Sequence, residues 1–186
     1  MNLNELFEIQ AELDNRIVEE HNLQGVDLLD KKILALQVEL GELANEWRGY
    51  KFWSKDQEAR TEVTDRNTDC GECFYNNVGK NPLLEEYVDC LHFYLSIGND
   101  LIINTKYEFA PSYVSRVITL LGLINRYTSE MWWEHHDKTG NAFIKWLFGF
   151  QHFLRLGEVL GFAWEEIEEA YLEKNKINHE RQANGY

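Results

Sequence analysis

The sequence predicts an all-α helical bundle of about five to six helices, forming a single domain over residues 1–186. Three observations lead there. Apolar residues recur at spacings of three and four over long stretches, the period of a helix, and no segment alternates as a half-buried strand would. Only two prolines interrupt the chain, and its 12 glycines do not gather into a linker. Hydrophobic residues make up 44% and aromatics 13%, enough for a packed core and well above the level of disordered chains.

The first helix is expected over about 4–20, with Leu6, Ile9, Leu13 and Ile17 on one face and Asn2 or Asn4 as N-cap. The second covers about 30–47 and could continue through Arg48–Trp53. Residues 54–82 are polar, rich in Gly and Asn, and aperiodic. Connections of that length in compact domains are usually functional or mobile. The stretch contains Cys70 and Cys73 at zinc-finger spacing, but one such pair falls short of the four ligands of a structural zinc site, and a plain loop is the stronger reading. A third helix is expected after Pro82, with Leu84, Val88, Leu91 and Leu95 inward, and a fourth over about 112–135. The fifth, about 141–160, is broken by "GFAW" from a last helix over about 164–182. That helix is acidic at its start and basic toward its end, as the helix dipole prefers.

A net charge of −14 argues against sequence-independent binding of nucleic acid, which needs Lys and Arg to neutralise phosphates. An anionic ligand would need metal cations or a local basic patch. The first residues lack a basic, then apolar, leader pattern, and the longest apolar run, near "VITLLGLIN", is too short to span a bilayer. Three cysteines do not make a secreted disulfide framework. A cytoplasmic protein without membrane partners is expected.

The acidic residues are placed unusually. Glu39, Glu42 and Glu46 fall within roughly 60° of one another on the second helix, beside the apolar stripe of Leu36, Leu40, Leu43 and Trp47. Like charges stacked in this way destabilise a helix. Glu86 and Asp89 repeat the arrangement on the third helix, again at the margin of its apolar face. Either pair alone reads as a solvated helix face. Two pairs, each bordering a packing stripe, point to convergence around Mg²⁺, with Mn²⁺ as a substitute, because hard oxygen ligands suit those ions. On the last helix, Ile167, Tyr171, Lys174, Asn178 and Arg181 share a stripe that turns from apolar to polar. Lys174 and Arg181, with Asn175 and Asn178 nearby, can hold phosphate oxygens; the competing reading is a frayed, solvated C-terminal turn.

An E-x-x-E helix followed by an E-x-x-D helix resembles the all-α nucleoside triphosphate pyrophosphohydrolases, which include MazG-like proteins. The strings "ELGELANEWRGYKFW", "LLEEYVDCLHFYLSIG" and "YLEKNKINHERQANGY" are similar to the dimeric dUTPases in particular, and the likeness runs from the first helix to the C-terminus. The resemblance implies a homodimer that binds dUTP or a dUDP-type nucleotide. It further implies Mg²⁺-dependent hydrolysis of dUTP to dUMP and pyrophosphate, with water attacking the α-phosphorus. Glu39, Glu42, Glu86 and Asp89 would be metal ligands, Glu42 also the base, and Glu46 a residue behind them. Lys51 would approach phosphate, Trp53 would wall the base pocket, and His92 and Phe93 would line the nucleoside pocket. Lys174, Asn175, Asn178 and Arg181 match the family's phosphate- and nucleotide-contacting motif.

Gln10, within the first helix's apolar face, matches a base-reading glutamine, and a buried amide supplies the donor and acceptor that a uracil edge requires. Asp14 stands where the family usually has asparagine, replacing an amide with a carboxylate acceptor. Three alternatives stay open: a pyrophosphohydrolase for dCTP or a modified nucleotide, a di-iron bundle, and a protein that binds a regulator. The di-iron bundle requires Glu-x-x-His on two helices, and this chain offers only Asp89-x-x-His92.

Overall fold

The computed structural model describes residues 3–62, 80–101 and 112–185. Among them are six α-helices and no strand: α1 Leu3–Glu20, α2 Leu29–Trp47, α3 Pro82–Leu101, α4 Val117–His136, α5 Ala142–Leu160 and α6 Trp164–Ala183. The all-α bundle expected from periodicity is therefore what forms. Cys70 and Cys73 lie outside the described residues. Among the described residues, no helix is long and apolar enough to cross a membrane.

The central element is α3, which packs against α1, α2, α5 and α6, while α4 lies across α2 and α5. Its sequence suits that position, because apolar residues occur around most of its circumference: Leu83, Tyr87, Cys90, Leu91, Tyr94 and Ile97 are all buried. Tyr87 stacks on Phe153 of α5 at 4.3 Å between ring centroids, and Trp146 donates its indole N–H to the Tyr94 carbonyl at 2.9 Å. Gly157 on α5 makes the approach possible: a Cβ there would lie 2.6 Å from the Tyr87 hydroxyl.

Several boundaries differ from the sequence reading, for local reasons. α2 does not run through Arg48–Trp53. Arg48 adopts a left-handed conformation at φ 62°, its N–H closes on the Ala44 carbonyl, and its buried guanidinium donates to the main chain and carboxylate of Asp56, both at 2.9 Å. α3 includes Pro82 in its first turn, where a missing N–H costs nothing, and the Asn81 side chain accepts from the Leu84 N–H at 3.1 Å. α4 starts at Val117 and not near 112, because Arg116 is still extended at φ −99°, ψ 120°. Asn4 lies inside α1 and so does not cap it. Between α5 and α6, Gly161 turns the chain at φ 90°, and Glu166 reaches back to accept from the Ala163 N–H at 2.9 Å.

Arg60, on the segment after α2, joins two helix ends. Its N–H donates to the Glu46 carbonyl, its own carbonyl accepts from the Leu83 N–H, both at 3.0 Å, and its guanidinium meets the Glu46 carboxylate at 3.1 Å. Glu46 is thus tied to Arg60.

Candidate active site

The leucines of α2 fix the direction of its glutamates. Leu36, Leu40 and Leu43 are wholly buried against α3, which leaves Glu39 half-buried and Glu42 exposed along the seam. Glu86 projects from α3 into the same seam. One carboxylate oxygen from each of Glu39, Glu42 and Glu86 falls within 4.8 Å of the others. Burial, then the charges of Asp89, Glu42, Glu39 and Glu85, pushes the Glu86 carboxyl up to about 7. Glu39 is also raised, by burial first and then by Asp89 and Glu42, with Lys174 opposing. Two acids are thus held above their usual range across one helix seam. The cluster stores repulsion that a cation would relieve.

The donor set fits a hard divalent ion. With Mg–O distances of about 2.1 Å, one ion spans oxygens up to about 4.2 Å apart, so small side-chain adjustments close the cluster around it. Asp89 stands beside this trio and takes a different partner, accepting from Lys174 at 2.6 Å. Lys174 also meets Glu85 at 3.3 Å. Burial works against the Lys174 ammonium, but the Asp89 hydrogen bond and charge outweigh it and its pKa lies above the ordinary value. Burial in turn holds the Asp89 carboxyl above the usual range despite Lys174. The basic residue expected on the last helix is therefore docked onto the acidic centre. A small cavity of about 180 Å³, lined by Lys80, Leu84, Glu85, Val88 and Lys174, opens beside it.

One helical turn beyond Asp89, a second polar group occupies the meeting of α1, α3 and α6. Gln10 is 3% exposed and its amide is fully engaged in direction: Nε2 donates to Asp14 at 2.7 Å, and Oε1 accepts from the Tyr171 hydroxyl at 2.9 Å and lies 2.7 Å from His92 Nδ1. Asp14 also accepts from the Ser96 hydroxyl at 2.6 Å and has the Lys32 ammonium at 3.6 Å. His92 stacks on Tyr171 at 4.2 Å. Burial, then the Lys174 charge, lowers its pKa to about 3, against a weak opposing pull from the Tyr171 main chain, so the ring is neutral. Two buried atoms here have no hydrogen-bond partner, His92 Nε2 and Asn175 Nδ2.

The remaining expected residues are placed less centrally. Phe93 is half-buried against the core. Asn178 accepts from Arg181 at 3.4 Å near the end of α6. Lys51 donates to Asn45 at 2.5 Å, and Trp53, 66% exposed, packs edge-on against Tyr50 and Phe52 and stands in solvent. Sequence reasoning missed Tyr171, Ser96 and Lys32 as members of the Gln10 group. Ser96, one turn beyond His92 on α3, and Tyr171, one turn before Lys174 and Asn175 on α6, carried a signal in their spacing; Lys32 did not.

An all-α bundle with a carboxylate cluster on two adjacent helices and a lysine docked against it can bring a cation and an anionic ligand together. The profile of a family described as dUTPase matches residues 2–70 and 75–186, nearly the whole chain. The chain belongs to this family, the all-α dimeric dUTPases, whose general activity is hydrolysis of dUTP. No curated protein and no solved structure matches it.

Proposed function

We propose that this protein is a Mg²⁺-dependent dUTP diphosphatase that releases dUMP and pyrophosphate by attack of water at the α-phosphorus. The observation that carries the reading is the convergence of Glu39, Glu42 and Glu86 oxygens within 4.8 Å, with Lys174 docked alongside on Asp89. Glu39, Glu42 and Glu86 would hold the metal, with Asp89 joining them once Lys174 turns to phosphate. Bound there, Mg²⁺ would neutralise phosphate charge and make water a better nucleophile.

The chain's own groups supply the rest. Glu42, the most open of the three carboxylates, is the one that arriving water meets, and it takes the proton. Lys174 and Arg181 hold phosphate oxygens, with Asn178 and Lys51 at the margin of the same anionic ligand. Gln10, Asp14, His92, Phe93 and Asn175 surround the base. A base of the wrong polarity would leave buried polar groups unpaired there, the strongest kind of discrimination available to such a pocket. Homodimerisation belongs to the same proposal. Phe52, Trp53 and Trp133 are 85%, 66% and 57% exposed, aromatic surface that a second copy would cover.

Product analysis tests the reading. Each dNTP is incubated with the protein and Mg²⁺, and products are separated by chromatography. Only dUTP should yield monophosphate plus pyrophosphate, and chelator should stop the reaction. Light scattering on the same sample should give about twice the 22.0 kDa chain mass. Turnover of dCTP in preference to dUTP would replace the substrate, and turnover unaffected by chelator would remove the metal.

A further inference from the structure

Asp14 differs from its neighbours in one chemical respect. As a carboxylate it can only accept hydrogen bonds. The Gln10 atom 2.7 Å from Asp14 must therefore be the amide nitrogen, because an oxygen in that position would face another acceptor. The rest of the network follows from this. Gln10 Oε1 is turned toward Tyr171 and His92, the Tyr171 hydroxyl donates to it, and the hydrogen of the neutral His92 ring must sit on Nδ1. His92 Nε2 is left as a bare acceptor, buried and without a partner. An amide at position 14 would impose no such direction, since it can face Gln10 with either end.

Asp14 is itself held in place. Ser96 donates to its second oxygen at 2.6 Å, and Lys32, 3.6 Å from the same oxygen, is anchored by Asp100 at 2.7 Å. The chain of contacts crosses from α2 through α1 to α3. We propose that Asp14, pinned by Ser96 and Lys32, is a positioning residue that fixes the Gln10 amide and thereby holds His92 in one tautomer, its bare Nε2 offered to the ring N–H of a uracil-class base. Uracil carries a ring N–H next to a carbonyl, whereas cytosine has an acceptor and an amine in those places, the reverse polarity. Gln10 then serves to orient His92, its carbonyl oxygen already occupied twice. The inference deepens the reading of the site as a uracil-nucleotide pocket and rests on it for the identity of the base.

The test reads the tautomer directly, by nitrogen-resolved NMR of the histidine rings in the full-length protein. His92 should show hydrogen on Nδ1 alone in the unmodified chain. In Asp14→Asn, which keeps the shape but drops the direction, both tautomers should appear. KM for dUTP should then rise about twofold as the competent fraction halves, with kcat unchanged. Ser96→Ala, which removes one of the pins, should move both readouts the same way and serves if Asp14→Asn does not fold. Hydrogen on Nε2 in the unmodified chain overturns the proposal, as does an unaltered His92 spectrum in the variants or a loss confined to kcat. Because the NMR measurement needs no turnover, a correct tautomer in a protein that ignores dUTP would sink the substrate reading and leave the relay standing.

Discussion

Glu42 is the residue on which the proposed chemistry turns, and the site geometry states what removing its charge should do. Glu42→Gln keeps size and exposure while taking away both a ligand oxygen and the proton acceptor. Turnover measured by stopped-flow proton release should fall by about 10²- to 10⁴-fold, the usual contribution of a positioned base, with the helical circular dichroism unchanged. Activity equal to the parent would remove Glu42 from the mechanism. This residue was legible in the sequence, because helical period alone sets Glu39 and Glu42 beside Leu36, Leu40 and Leu43, and Glu86 beside Val88 and Leu91. The burial of Gln10 was legible in the same way. The partners of Asp14 were not. Ser96 lies 82 residues away from it, and Tyr171 lies 161 residues from Gln10. Contacts of that range depend on how three helices cross, which periodicity does not encode.

At the scale of elements, the period-based reading found every helix among the described residues and most of their ends to within a residue, but set the start of α4 too early and let α2 run on past Trp47. The end of α2 is set by Arg48 in a left-handed conformation, a role that glycine usually fills, so an arginine there gave no stop signal. The start of α3 carried its signal in plain view, as Asn81 followed by Pro82 is a helix N-terminus. Packing between elements yields a firm expectation at Gly157. An alanine Cβ would sit 2.6 Å from the Tyr87 hydroxyl and 2.8 Å from its ring carbon, on a ring held by the Phe153 stack. Gly157→Ala should cost about 1–3 kcal/mol and lower the melting temperature by about 3–10 °C in a thermal scan. A melting point equal to the parent would mean that α3 and α5 are free to separate.

For the whole molecule, the acidic cluster links stability to pH and to metal. The Glu86 carboxyl stands at about 7 in the folded chain against an ordinary 4.5, with burial as the largest cause. The sign follows: an acid raised on folding adds stability fully below its unfolded value, and that stability is lost as pH climbs through its folded value. The affected window is therefore about pH 4.5 to 7. Solvent screening at a half-buried carboxyl trims the effect to about 1 kcal/mol, or 2–4 °C in melting temperature. In chelator, the parent should lose that much more than Glu86→Gln between pH 5 and about 7.5, and Mg²⁺ should restore it. Equal pH profiles for parent and variant would show that the cluster carries no such strain.

The clamp made by Arg60 has a different kind of consequence. It fastens the exit of α2 to the entry of α3, so the two helices that present Glu42 and Glu86 are joined at their ends by Arg60 as well as along their buried leucines. Sequence inserted between Arg60 and Leu83 is tethered at both ends, and each doubling of its length adds only about 0.6 kcal/mol of closure entropy. Sequence can thus lengthen at that point while Glu42 and Glu86 hold station.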